Sequence, residues 1–93
     1  MATDLNADQI DHFLSEHPQW ALKGASIQRE FIFDDFNQAL GFVVRIGAAS
    51  EAADHHPDID IRWNKVTCLL STRSKGALTS KDLALAAKFG TLS

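Results

Sequence analysis

Pro57 constrains this chain more than any other single residue. Its ring disfavours the α conformation at the residue before it, so His56 is extended and a helix arriving from the N-terminal side must stop near Asp54 or His55. On that side lies "FIFDDFNQALGFVVRIGAASEAADHH", where Phe36, Leu40, Val43 and Gly47 make one helical row and Phe42, Ile46 and Ala49 widen it. The aspartates ahead of the row supply an N-cap and a favourable negative charge. About 20 residues at 1.5 Å each give roughly 30 Å of helix, enough to span a small domain. Gly41 and Gly47 each cost about 1 kcal/mol relative to alanine in a helix interior, and either close packing or plain tolerance explains them. Beyond the proline, "DIDIRWNKVTCLLST" changes to a period of two. Ile59, Ile61 and Trp63 alternate, Asn64-Lys65 reads as a tight turn, and Val66, Cys68 and Leu70 alternate against Thr67, Leu69 and Ser71. The proline therefore marks a helix-to-strand junction followed by a hairpin.

The remaining segments complete the layout. Asn6 with Gln9 forms a capping box, and Leu5 with Ile10 a hydrophobic staple, ahead of a short helix whose Ile10, Phe13 and Leu14 share a face. In "QWALKGASIQREFIF", Ile27, Arg29, Phe31 and Phe33 point one way and Gln28, Glu30 and Ile32 the other. With "KGAS" as the turn, strands are expected over about 18–22 and 26–33. Thr79 with Asp82 forms a second capping box before "LALAAKF", a last helix with Leu83, Ala86 and Ala87 on one side. The order α-β-β-α-β-β-α predicts an α+β fold: a four-stranded antiparallel sheet with three helices packed on one face.

A chain of 93 residues is expected to be a single domain with a modest buried fraction, for which self-association is a source of added stability. Its formal charge of −3 lacks the basic footprint that direct nucleic-acid binding needs. Cys68 is the only cysteine, so no internal disulfide forms. The polar start "MATDLNADQ" has neither the basic nor the apolar region of a secretory signal, and "ALGFVVRIGAA" is too short, and interrupted by Arg45, to span a membrane. A cytoplasmic protein is expected.

Function points to the junction itself. His55 and His56 are half of the four histidines, and the carbonyls left unsatisfied at a helix end favour an imidazolium nearby. A solvated helix end is the bland alternative. A metal site is disfavoured, because neighbours on an extended segment point to opposite sides and no cysteine or spaced histidine completes a ligand set. His12 and His17 flank the first helix and are expected in solvent.

Glu51, then after three residues His55-His56-Pro57, after five Trp63, after nine Arg73 and after eight Asp82 form a string that resembles the signature of the pterin-4a-carbinolamine dehydratase family. That signature runs from an acidic or similar residue through His-His-Pro and an aromatic to a histidine in a Ser-Thr-His segment and an aspartate. "FIFDDFNQALGFVVRIG", "WNKVTCLLST" and "GALTSKDLALA" are also similar to the family's long-helix entry, last strand and last helix. The resemblance implies a hydro-lyase, a 4a-hydroxytetrahydrobiopterin dehydratase of tetrahydropterin recycling, with no cofactor beyond the pterin substrate. It implies His55 as the acid/base group, His56 as a binding and auxiliary proton-transfer group, and a pterin site formed by Glu51, Asp54, His55, His56, Ser71, Thr72, Arg73 and Ser74. Glu51, one helical turn before His55, is placed to orient that imidazole. Trp63 reads as a packing residue of the hairpin, and Asp82 as a helix cap at least as much as a site residue.

One position departs from the pattern. Arg73 stands where the family has its third histidine. Histidine titrates near neutrality and can both give and take a proton, whereas a guanidinium stays protonated and accepts nothing. Three functions follow from the resemblance with this departure: an active dehydratase, a non-catalytic member, or an enzyme on a different, anionic pterin held by Arg73. The family's non-catalytic roles include binding a homeodomain transcription factor and assembling Rubisco, so a protein partner is open. The resemblance also implies a homodimer or homotetramer, with the long helix as a candidate interface.

Overall fold

The computed structural model describes residues 4–93; the first three residues of the polar start, 1–3, lie outside the described residues. Its elements run α1 (Ala7–Glu16), β1 (Ala21–Lys23), β2 (Ser26–Ile32), α2 (Phe36–Ala53), β3 (Asp58–Arg62), β4 (Lys65–Leu70) and α3 (Ser80–Leu92), the order expected from the sequence. The strands form one antiparallel sheet in the order β1-β2-β4-β3, with β2 paired to β4 over six residues from Ile27↔Leu70 to Ile32↔Lys65. Among the described residues no helix is long and apolar enough to cross a membrane.

Local chemistry explains the boundaries. Asn6 and Gln9 make their capping box, with the Gln9 N–H donating to Asn6 at 2.8 Å and the Asn6 N–H to Gln9 at 2.9 Å. Leu5, Ile10, Phe13 and Leu14 then pack against the core. Asp35 caps α2 by accepting the Gln38 N–H at 2.8 Å. In the β1–β2 turn Gly24 takes a φ of +58°, a conformation in which a side chain is strained, so Ser26 pairs directly with Lys23.

The core lies between one sheet face and the helices. Ile27 and Phe31 of β2 and Val66, Cys68 and Leu70 of β4 meet Ala39, Phe42 and Ile46 of α2 and Leu85, Ala86 and Phe89 of α3. Arg29 shares that face with its guanidinium over the Phe31 ring at 4.1 Å, while Glu30 and Ile32 on the other face are exposed. Burial pushes the Cys68 thiol up to about 12, which removes it from thiolate chemistry at neutral pH.

Several expectations are corrected. Of the expected α2 stripe, Phe42 and Ile46 are buried, beside Ala39 and Ser50, and Val43 and Ala49 pack against the core, whereas Phe36 and Leu40 are exposed, as is Val44. Apolar residues lie on both faces of the helix, so periodicity alone could not fix the centre of the buried one. A Cβ at Gly47 would meet nothing and one at Gly41 only the end of the Arg45 side chain, so neither glycine marks close packing. On α3 the inward face is Asp82, Leu85, Ala86 and Phe89, so the expected Ala86 is buried and Leu83 packs at its edge, while Leu85 and Phe89 centre the face. The hairpin turns at Trp63-Asn64, one residue earlier than expected, and Trp63 is 68% exposed at a φ of +51° rather than packed. β1 starts later than expected, after Trp20 enters the core. His17 is half-buried, its ring stacked on Phe13 at 4.1 Å, instead of lying in solvent.

Candidate active site

The site begins where α2 ends. Asp54 adopts the left-handed conformation at φ 51° and ψ 44°, which aspartate tolerates better than most residues. Its N–H donates to the Glu51 carbonyl at 3.2 Å and the His55 N–H to the Ser50 carbonyl at 3.1 Å, the two bonds of a Schellman motif. The helix stops ahead of the proline, and the histidines lie in the short connection between α2 and β3. The two carbonyls are occupied by these amides, so the imidazoles find their negative partners elsewhere.

Each histidine faces a carboxylate through Nε2, and on opposite sides. His55 turns inward to Asp82 Oδ1 at 2.5 Å, its side chain 11% exposed and that of Asp82 fully buried. His56 turns outward and pairs with Glu51, in an ion pair whose side chains are 55% and 78% exposed. Glu51 therefore serves His56 and not His55. The one-turn spacing rule holds only within a helix, and the left-handed Asp54 ends α2 before His55 is reached. Because a carboxylate only accepts, Nε2 is the donor in both pairs when the carboxylates are ionised, and Nδ1 is the ring nitrogen left to each histidine for other chemistry.

Asp82 is the residue that sequence reasoning underrated. Its capping role is present: with Thr79 it forms the capping box of α3, and the Thr79 N–H donates to Asp82 Oδ2 at 2.9 Å. Thr72 Oγ1 donates to the same oxygen at 2.8 Å. Oδ1 remains for His55, so one buried carboxylate joins the start of α3, the end of β4 and the histidine junction. The capping-box spacing was readable; the second task was not, since His55 lies 27 residues away.

The opposite wall is the segment after β4. Ser71 and Arg73, together with the run 54–58, line an open depression of about 440 Å³. Arg73 donates from Nη2 to Asp58 Oδ1 in a pair whose side chains are 75% and 58% exposed. Thr72, between them, is buried and turned to Asp82 behind the wall, so its side chain does not line the depression. Glu51 and Ser74 are exposed and lie outside the lining, Glu51 reaching the site only through His56. Trp63 stands at the far end of β3, roughly 16 Å from Asp58 at 3.3 Å per residue. Among the described residues no group of three or more His, Cys, Asp or Glu side chains is arranged to hold a metal.

Comparison with known proteins adds a family to this geometry. A family model described as "Pterin 4 alpha carbinolamine dehydratase" matches residues 3–92. A Picosynechococcus sp. protein named "Putative pterin-4-alpha-carbinolamine dehydratase" is 47% identical over 92 residues, which cover 99% of this chain and 100% of the relative. A protein of the same name from Mycobacteroides abscessus is 50% identical over 82 residues, covering 88% of this chain and 87% of the relative. The crystal structure of a transcriptional coactivator/pterin dehydratase from Brucella melitensis superposes with a TM-score of 0.91 at 29% identity, covering 97% of this chain and 98% of that one. A pterin dehydratase-like protein described as a RuBisCO assembly factor in the alpha-carboxysome gives a TM-score of 0.65 at 24% identity, over 78% of this chain and 84% of that one. At that identity the likeness concerns the fold alone.

Proposed function

The chain belongs to the pterin 4 alpha carbinolamine dehydratase family, and from that membership we propose that it removes water from a 4a-hydroxytetrahydropterin to give the quinonoid dihydropterin. The reaction breaks the C4a–O bond as the hydroxyl takes a proton and leaves as water. N5 gives up its proton, and a C4a–N5 double bond forms. One positioned acid and one positioned base suffice, and no redox partner enters.

The observation that carries the reading is the buried His55–Asp82 pair opening on the depression. Asp82 holds the Nε2 proton, so Nδ1 is the nitrogen that protonates the leaving hydroxyl when the ring is an imidazolium. His56, oriented by Glu51, is the second proton-transfer group and a contact for the ring. Asp54, Ser71 and Arg73 complete the pterin site from the rim; Glu51 acts on it through His56, and Thr72 through Asp82 and His55. Arg73 moves no proton. It pairs with Asp58 through Nη2 on the exposed rim, with its other donors left to a ligand.

The exposed row Phe36, Leu40 and Val44 on α2 supports self-association of the chain through that helix, as a homodimer or homotetramer. The family model's reach over residues 3–92 supports reading the chain as one domain.

Two measurements on the purified protein test the proposal: turnover of a 4a-hydroxytetrahydropterin against the uncatalysed rate, and binding of a pterin followed by the pterin's own fluorescence. Turnover above background is expected. Saturable binding with no acceleration would instead support a non-catalytic member, and no binding at all would remove the pocket from consideration.

A further inference from the structure

Behind the pterin wall, four side chains form a buried chain of hydrogen bonds whose direction is fixed by counting protons. An ionised Asp82 carboxylate only accepts, so Thr72 gives Oδ2 its single hydroxyl proton at 2.8 Å. The Thr72 oxygen is then free to accept, and Thr79 Oγ1, 2.7 Å away, must be the donor in the bond between the two threonines. The chain therefore runs from the Thr79 hydroxyl to Thr72, from Thr72 to Asp82, and meets the His55 ring on the far side of the carboxylate. Thr72, Thr79 and Asp82 are all buried, at 7%, 0% and 0% exposure.

We infer that Thr72 is a positioning residue: its hydroxyl locks the Asp82 carboxylate in the one rotation that keeps His55 protonated on Nε2 and leaves Nδ1 to the substrate. A single donor on an oxygen leaves a carboxylate able to swing about that hydrogen bond, and a second donor on the same oxygen removes the freedom. Here Oδ2 takes the Thr79 N–H and, as the second donor, the Thr72 hydroxyl, so Oδ1 is presented to His55. The hydroxyl is fixed in turn by the backbone: the Thr72 N–H donates to the Ala77 carbonyl at 3.0 Å, and the Thr72 carbonyl accepts from Lys75 at 3.0 Å. Side chains alternate along this segment, Ser71 and Arg73 facing the depression and Thr72 facing Asp82. A ligand that shifts Ser71 or Arg73 thus shifts the carboxylate that holds His55, which links substrate contact to the proton-transfer group.

The inference rests on the reading of His55 as that group, but its test does not depend on activity. Nitrogen NMR of the histidine rings reports which tautomer the neutral His55 adopts. The wild type is expected to hold the Nε2–H form, Thr72→Val to give a mixture of the two, and Thr72→Ser to restore the wild-type signature. In the dehydratase assay, kcat of Thr72→Val should fall about tenfold with KM within about twofold, since a hydrogen bond to a charged group is lost and no pterin contact is. An unchanged tautomer in Thr72→Val overturns the inference, whatever the assay gives. If valine prevents folding, Thr72→Cys keeps the volume with a weak donor, and its tautomer ratio should lie between wild type and a free imidazole; a wild-type ratio there overturns the inference equally. A wild type without turnover but with the expected tautomer shift would sink the dehydratase reading and leave Thr72 as the residue that positions His55.

Discussion

The two histidine–carboxylate pairs are made of the same groups joined through the same ring nitrogen, one residue apart, yet they differ in almost everything that decides their worth. His55–Asp82 is largely withdrawn from water, its carboxylate fully buried and tied by two further donors. His56–Glu51 stands in water, with more than half of each side chain exposed. Water screens an exposed pair and competes for its hydrogen bonds, so such pairs contribute about 0–1 kcal/mol. A buried pair cannot be broken from one side without stranding the other. The same chemistry is thus an adjustable surface feature at one position and a fixed piece of machinery at the next.

The largest expected difference is in turnover. His55→Ala should lower kcat by about 10² to 10⁴, the usual range for a positioned proton-transfer group. His56→Ala should weaken pterin binding at least as much as it slows turnover. Steady-state kinetics together with direct binding separate the two. A larger kcat loss for His56→Ala would reverse the roles assigned to the pairs, and negligible effects from both would end the catalytic reading.

Stability should divide the carboxylates in the same sense. Asp82→Ala removes the acceptor of His55, of the Thr72 hydroxyl and of the Thr79 N–H. Breaking a buried pair in this way costs about 3–5 kcal/mol. Glu51→Ala should cost less than about 1 kcal/mol. Urea unfolding at neutral pH measures both, and similar losses would mean that burial is not what distinguishes the pairs.

A smaller effect is expected where this chain departs from its family's pattern. Arg73→His places a group that can exchange protons on the wall opposite His55, and releases Asp58. Turnover should rise about tenfold, a fraction of the 10² to 10⁴ that a fully positioned group supplies. No change would mean that the two existing pairs already provide both proton transfers. A fall would mean that the Arg73–Asp58 pair is itself needed to shape the rim.

How much of this was legible in the sequence follows from what kind of information each feature carries. The junction was legible because Pro57 acts on its immediate neighbour, and the caps at Asn6, Asp35 and Thr79 because they act within one turn. The partners of the two histidines were not. Spacing along a helix paired Glu51 with His55, but a single left-handed residue, Asp54, turns His55 towards a helix that begins 25 residues later. The exposed row of α2 was hidden for a similar reason, since two apolar rows compete and only the position of the sheet decides. Trp63 reads as an alternating strand residue, yet it occupies a turn at positive φ, where an aromatic is rare and sequence preference points elsewhere. Thr72 was placed in the pterin site by resemblance; which way its side chain faces is set by the register of β4 and by the loop that follows.

Salt gives the smallest effect and the sharpest separation between the pairs. Raising ionic strength from about 0.1 M to 1 M shortens the Debye length from about 10 Å to about 3 Å, which weakens exposed ion pairs and leaves buried ones nearly untouched. Glu51→Gln removes the charge beside His56 while keeping a side chain of the same shape. At low salt it should lower kcat/KM by about two- to fivefold, the range of a surface pair worth up to about 1 kcal/mol. At 1 M salt the wild type should lose that advantage by itself, and the two proteins should converge. Asp82→Asn keeps the volume and removes the buried charge, so its deficit should be nearly the same at both salt concentrations, because the Asp82 side chain is fully buried and only the edge of His55 meets the depression. A salt-dependent deficit in Asp82→Asn would show that water enters the site. A salt-independent deficit in Glu51→Gln would show that the outer pair becomes buried when pterin binds, and the contrast between the two pairs would then belong to the empty site alone.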